Sequence, residues 1–508
     1  MASSVRGAPT MEAAARSRLG ATTSTSTSTS RAVVSRARAR GRVARLTAAA
    51  AATNDGIRWS VVRERAERAT RKILARDADA AKVLRKALRP GESPITNDER
   101  RAIATVVLGT EVWRLRLRAE TRGPRARAAL GSFGDDDEAK TLVLCYWCRE
   151  RGGGGVTPSV ETLREMYGGD VDVDALRNAV DERCVSWTLD GGDAVAVSER
   201  CSMPVKTAEM FVREYGVDEA MRLATAMNVP GPMACRANRA LGATCKEDAI
   251  AALEREGVRR IESHTPANLA PWTFVLTDGP SSLTSGVFGS RAWADGFFEV
   301  QDEGSQAIAV ALEAKPGERI LDACAGNGGK TLAVAAEMEG RGEICVFDVD
   351  RRRLAHLAAN AERARVGALV TIVDADSLGA LEPASFDAIL VDAPCSSVGA
   401  LRRTPSLRYS HDDPADLAEI QRDILNAVAP LLRPGGRLVY ATCSVLSIEN
   451  QCIARVFERE NDEFAPWPFD ERASPSPSVD VRANEQLLLP HVHGTDGFFI
   501  ARFVRRAA

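Results

Sequence analysis

Between Glu318 and Ala441 the chain alternates short apolar runs with helix-period stretches, and this alternation constrains the fold more than any other feature. Strands are predicted over 319–323, 344–347, 370–373, 386–391 and 436–441, with helices over 332–338 and 351–364. Such a β-loop-α repeat builds an α/β domain with a doubly wound, mostly parallel, Rossmann-like sheet, which binds its ligand at the carboxyl ends of the strands. The chemistry should therefore lie in the residues that follow each strand.

After the first strand comes Cys324-Ala325-Gly326-Asn327-Gly328-Gly329-Lys330-Thr331, a glycine-rich turn with three readings. As a phosphate loop it fails, because G-x-x-x-x-G-K-[ST] needs glycine where Cys324 stands. As a dinucleotide fingerprint it lacks the third glycine. What remains is a turn whose backbone amides approach an adenosine-bearing ligand, with Asp348 about 20 residues on for the ribose hydroxyls. S-adenosylmethionine suits such a site.

The fourth and fifth strands run into Asp392-Ala393-Pro394-Cys395-Ser396 and Thr442-Cys443-Ser444, so a thiol stands at each of two neighbouring strand ends. Two thiols beside a methyl donor point to one difficult reaction. Carbon 5 of a pyrimidine is too poor a nucleophile to take a methyl group until a thiolate adds at carbon 6 and makes the ring an enamine. A second thiol can then help remove the carbon-5 proton so that the first leaves.

The rest of the chain divides by composition and charge. The formal total of −2 is a sum of unlike parts: residues 1–50 carry nine Arg against one acid, and residues 58–129 carry 19 Lys and Arg against nine acids, net +10. Residues 130–508 hold a compensating −19. The first 56 residues, rich in Ala, Arg, Ser and Thr, fit an organellar transit peptide, plastid ahead of mitochondrion; without that address the protein would be cytoplasmic or nuclear.

Residues 57–150 are expected to form a basic all-α domain that grips RNA phosphates. It should hold a helix over 60–88, broken by Pro90, Gly91 and Pro94, and a second helix opening at Thr96 or Asn97 with Glu99 as its capping partner. Residues 151–197, with four glycines from Gly152 to Gly155, read as a linking stretch. Residues 198–297 alternate helices with a strand through Arg236 and Asn238 and form a small α/β domain. Residues 298–508 carry the chemistry.

No apolar run is long enough to cross a membrane. Eleven cysteines, an odd number, argue for reduced thiols. Cys145 and Cys148 read as buried thiols on one helix face, and His491 and His493 share a strand face without metal partners, so no metal site is expected.

The ordered set Val300 to Gln306, Asp322-Ala323-Cys324, Gly328 to Thr331, Asp392 to Ser396, Arg402-Arg403 with Pro405, Thr442 to Ser444 with Glu449-Asn450, and Gly494 to Phe499 resembles the NOP/Sun family of RNA (cytosine-5) methyltransferases. The stretch from Asn97 to Arg118 is similar to the NusB-type helical domain of that family's bacterial ribosomal RNA branch. The resemblance implies a class I methyltransferase domain, with Cys443 as nucleophile, Cys395 assisting its release and Asp392 hydrogen-bonding the activated cytosine. It further implies that Cys324, Ala325, Gly326, Asn327, Gly328, Gly329, Lys330, Asp348, Asp376 and Asp392 contact S-adenosylmethionine. One departure stands out: the family has Ala-Pro where this chain has Gly326-Asn327. Ribosomal RNA is the expected substrate, with transfer RNA as alternative. A catalytically weak RNA-binding assembly factor is the reading from another class. The protein is expected to act as a monomer, with RNA attraction supplied by the helical module and by Arg402, Arg403 and Arg408 near the pocket.

Overall fold

The computed structural model describes residues 56–75, 79–89, 94–133, 137–150, 157–180, 193–265, 267–277, 287–374, 379–410, 412–470 and 481–507. The segment read as a transit peptide, the glycines from Gly152 to Gly155 and Asp376 lie outside them. The described residues form two compact units, one of residues 206–403 and 410–507, the other of residues up to 205 together with Thr404–Tyr409.

The first unit holds two sheets. The smaller is built from β1 (Met233–Ala237), β2 (Ile261–Glu262), β3 (Thr273–Leu276) and β4 (Phe298–Val300), in the order β2-β3-β1-β4 and antiparallel throughout. The larger contains β5 (Arg319–Asp322), β6 (Glu343–Val346), β7 (Val370–Ile372), β8 (Phe386–Asp392), β9 (Leu432–Thr442), β10 (Phe464–Pro466), β11 (Glu485–Leu488) and β12 (Phe498–Arg505). Its order is β10-β12-β9-β8-β5-β6-β7, with β11 paired to β12. The five strands from β7 to β9 are parallel, and β12 closes antiparallel on β9. This is the doubly wound architecture expected from the sequence.

Burial on both faces explains the unbroken apolar runs of the central strands. Ile320, Leu321 and the stretch from Ala388 to Val391 are essentially inaccessible, and on one face Ile320, Ala388 and Leu390 share a core with Leu332, Val334 and Ala335 of the helix Gly329–Glu337 and with Leu354 and Leu357 of the helix Arg351–Arg363. Chain order reverses between β5 and β8, so the switch point opens directly above the glycine turn and the end of β8.

The second unit is helical. Trp59, Val62, Ala66, Ala69 and Ile73 form the buried stripe of the helix Trp59–Leu74. The single helix expected over 60–88 is two helices, because Asp79 caps a new one, Ala80–Ala87, accepting hydrogen bonds from the amides of Ala81 and Lys82. The predicted start of the next helix is a capping box: Thr96 Oγ1 accepts from Glu99 N at 3.2 Å, and Glu99 Oε2 accepts from Thr96 N at 2.8 Å.

Residues 160–167 and 173–179, placed in a linking stretch by their glycine-rich neighbourhood, are helices. Their Leu163, Tyr167, Val173 and Leu176 share one core with Trp59, Cys145 and Trp147. Cys145 and Cys148 are buried there, and burial pushes the Cys148 thiol up to about 12. His491 and His493 lie on a helical turn, Pro490–His493, rather than a strand, because Pro490 opens it and Gly494 ends it at φ 74°.

Candidate active site

The parallel register of β8 with β9 sets Asp392 beside Ala441, so the two strands end level and release their loops into the same space. Across it, Cys395 Sγ and Cys443 Sγ stand 3.3 Å apart. Both are half-buried. Ser397 Oγ lies 3.2 Å from the Cys443 sulfur, on a residue held at φ 58°. A non-glycine residue in this left-handed region is strained unless its surroundings over-determine it. Here Gly399 does so: its amide donates to Cys443 O at 2.9 Å, and its carbonyl accepts from Gly497 N at 2.9 Å. A Cβ at Gly399 would come within 2.2 Å of Gly497 O and 2.8 Å of Cys443 O.

The two thiols are not equivalent. The Cys395 S–H, Ser397 and the Lys330 ammonium hold the Cys443 thiol below its ordinary value, against burial and the Asp392 carboxylate. Cys395 is pushed well above its ordinary value by the same hydrogen bond and by burial, with the Glu449 carboxylate adding to both. The pair is therefore biased toward a thiolate at Cys443 and a thiol at Cys395. Lys330 Nζ donates to Asp392 Oδ2 at 2.7 Å, and although burial opposes its charge, that carboxylate keeps the ammonium above its ordinary value.

The glycine turn leaves β5 through Asp322 and Cys324. Gly326 has φ 56° and open space where a Cβ would stand, so its backbone offers an unobstructed face. Gly328, at φ 91°, packs where a Cβ would meet Leu357 at 2.7 Å. Asn327 does not break the turn, since its carbonyl accepts from Asn360 Nδ2. Asp348, at the end of β6, ties the turn down by accepting from Gly326 N at 2.9 Å and from Asp350 N at 2.8 Å. Ala325 is fixed by its amide, which donates to Phe347 O at 2.9 Å. Gly329 opens the helix that carries Lys330.

An adenosine ligand fits this cradle on three observations: the open face at Gly326, the half-buried carboxylates Asp348 against Gly326 and Asp392 against Lys330, and Asp322 Oδ1, buried without a hydrogen-bond partner. Burial raises the Asp322 carboxyl to about 7, although Thr331 Oγ1 donates to its Oδ2 at 2.7 Å. Cys324 has its thiol pushed well above the ordinary value by burial first and then by the three carboxylates.

The structure thus brings Cys395, Cys443, Asp392 and Lys330 together and places Asp348 and the turn alongside. Arg402, Arg403 and Arg408, expected to supply free positive charge near the pocket, do not do so. Arg402 and Arg403 close on Asp496, and Arg403 also on Asp302, in an ion cluster whose two carboxylates and Arg402 side chain are buried while Arg403 stays at the surface with its charge paired. Arg408 belongs to the helical unit and is 4% exposed. Sequence reasoning gave no role to Ser397 or Gln421, and noted Ser396, Ser444 and Glu449 only as parts of motifs. Among the described residues no group of His, Cys, Asp and Glu side chains is placed to hold a metal ion, and no helix is long and apolar enough to cross a membrane.

The family described as 16S rRNA methyltransferase RsmB/F matches residues 309–504, the segment that contains both thiols and the turn. A ribosomal RNA small subunit methyltransferase B from Xylella fastidiosa is 34% identical over 315 residues, covering 61% of this chain and 70% of that protein. The chain belongs to the RsmB/F family. A probable methyltransferase B from Bacillus subtilis is 34% identical over 305 residues, 58% of this chain; the chain spans 65% of that protein and 49% of a Pseudomonas syringae relative. Among solved structures, PH0851 shares the fold with TM-score 0.67 at 23% identity over 88% of this chain and 99% of that one. A methyltransferase homologue from Pyrococcus horikoshii gives 0.51 at 29% identity, over 62% and 99%. The RsmB/F match ends at 504, close to the end of β12, so the family segment closes on the strand that borders β9.

Proposed function

We propose that this protein is an S-adenosylmethionine-dependent RNA methyltransferase that methylates carbon 5 of a cytosine in small-subunit ribosomal RNA. The observation that carries the reading is the thiol pair, 3.3 Å apart, with Cys443 biased to the thiolate and Cys395 to the thiol. Family membership and relatives named for ribosomal RNA support the substrate class.

The chain's own residues account for the chemistry. The Cys443 thiolate adds to carbon 6 of the ring, and its electron pair makes carbon 5 nucleophilic. Asp392, held by Lys330, hydrogen-bonds the cytosine and stabilises the adduct. S-adenosylmethionine, cradled by the turn from Cys324 to Lys330 and by Asp348, supplies an electrophilic methyl group. Carbon 5 takes the methyl group and the donor leaves as its neutral sulfide. The carbon-5 proton passes to Cys395 as the Cys395 thiol gives its own proton to solvent, the electron pair left behind restores the double bond, and Cys443 leaves carbon 6 as a thiolate. The base must leave its stack to reach the half-buried thiols, as RNA targets in loops and bulges do.

Incubation with methyl-labelled S-adenosylmethionine and ribosomal RNA should yield labelled 5-methylcytosine. Cys443→Ala should lower turnover by roughly 1,000-fold or more. A Cys443→Ala protein with full activity would remove the nucleophile from this account. Label found only in transfer RNA would move the substrate while keeping the chemistry. Intact thiols and a formed turn count against a catalytically weak assembly factor.

A further inference from the structure

Glu449 has no part in the steps above, and its carboxylate is wholly buried. Its partners are the two residues that follow the thiols. Oε1 accepts from Ser396 N at 2.7 Å; Oε2 accepts from Ser396 Oγ and from Ser444 Oγ, each at 2.5 Å. Gln421 Nε2 reaches Oε1 at 3.3 Å and Pro394 O at 2.9 Å, and Tyr440 OH donates to Gln421 Oε1 and to Glu449 O. Asn450 continues the tie, accepting from Thr442 Oγ1 and donating to Ser444 O at 3.0 Å.

One carboxylate therefore joins the Pro394-Cys395-Ser396 loop to the Thr442-Cys443-Ser444 loop. No direct backbone bond joins Ser396 to Ser444; their hydroxyls are 3.4 Å apart and share the Glu449 oxygen. We propose that Glu449 is a positioning residue that clamps the two thiol loops in register, so that Cys395 stays within hydrogen-bond reach of Cys443 and each keeps its separate role. A buried carboxylate satisfied by three donors from two loops is a rigid link, because releasing either loop leaves the charge under-solvated. Its negative charge also raises the Cys395 thiol, opposing a second thiolate. The roles of the two thiols rest on the proposed function, but their register does not.

The test uses the full-length protein without RNA. The rate of iodoacetamide alkylation at Cys443, read on its own peptide by mass spectrometry against pH, reports the thiolate population directly. Wild type should show a midpoint below that of an ordinary thiol. Glu449→Gln should raise it by about half a pH unit or more, because losing the hydrogen bond from Cys395 outweighs removing a negative charge, and lower methyl transfer roughly tenfold while leaving the Kd for S-adenosylmethionine within about twofold. Should Glu449→Gln fail to fold, the Ser396→Ala/Ser444→Ala double variant removes the hydroxyl links alone and should shift the midpoint in the same direction. A folded variant whose alkylation profile superimposes on wild type overturns the clamp. A shifted profile in a protein that never methylates cytosine keeps the clamp and overturns the proposed function instead.

Discussion

At the scale of single residues the site depends on close approaches that leave no latitude. Gly399 lies against Gly497 O and Cys443 O. Gly399→Ala should displace the Cys443 backbone and reduce methyl transfer by roughly 100-fold, with S-adenosylmethionine affinity retained; steady-state kinetics beside calorimetric titration would separate the two. Lys330 couples the cofactor turn to the chemistry, since its ammonium holds Asp392 and favours the Cys443 thiolate. Lys330→Met should therefore move the alkylation midpoint of Cys443 upward, and a midpoint that stayed in place would show that Cys395 and Ser397 alone set it. The thiols, Asp392 and the turn were legible in the sequence because each follows a strand of the repeat. Ser397 was not, because its role comes from a left-handed backbone conformation that no residue pattern announces. Glu449 was visible only as part of a motif, since what gives it a function is the convergence of two loops 48 residues apart.

At the scale of elements, strong local signals matched the structure and composition misled. The capping box at Thr96 and Glu99 is one such signal, and the structure adds Arg58, whose Nε donates to Glu99 Oε1 at 2.7 Å. The hydrogen bond from Arg58, against burial, lowers the Glu99 carboxyl to about 2. A depressed folded-state value means stabilisation that is present above the unfolded value of 4.5 and fades as the pH falls toward 2. Glu99→Gln should thus cost roughly 1–2 kcal/mol at neutral pH, moderated by the exposure of Arg58, and nothing near pH 2. Thermal melts across that range would check it, and a pH-independent difference would contradict it. The helices Val160–Tyr167 and Val173–Ala179 were hidden by the glycines before them, yet Ser159 and Asp172 cap both. The break before Ala80–Ala87 was hidden because helical periodicity resumes after it.

At the scale of the whole molecule, the charge total conceals which cations are free to meet RNA; Lys72, Arg85, Lys86 and Arg89 of the helical unit are exposed and make no ion pair among the described residues. In the helical unit Arg58, Arg68, Arg71, Lys82, Arg101 and Arg118 each face a carboxylate. Arg122, Arg125 and Arg127 are exposed and make no ion pair among the described residues. Replacing these three by Glu should weaken RNA binding at least tenfold and flatten its salt dependence, with cofactor affinity unchanged. Unchanged RNA affinity in a salt titration would place the phosphate contacts elsewhere. Removing all of 58–129 would be a poorer test, because that stretch shares one core with Leu163 and Leu176. The α/β class and the switch point were legible from the strand repeat, whereas the antiparallel closure of β12 on β9 depends on long-range pairing that local pattern does not carry. The central claim is that Cys443 bonds the cytosine and Cys395 releases it. Its most direct measurement is mass-spectrometric mapping of the covalent RNA adduct formed by Cys395→Ala with S-adenosylmethionine. The account predicts a persistent adduct on Cys443; no adduct, or release as fast as in wild type, would contradict it.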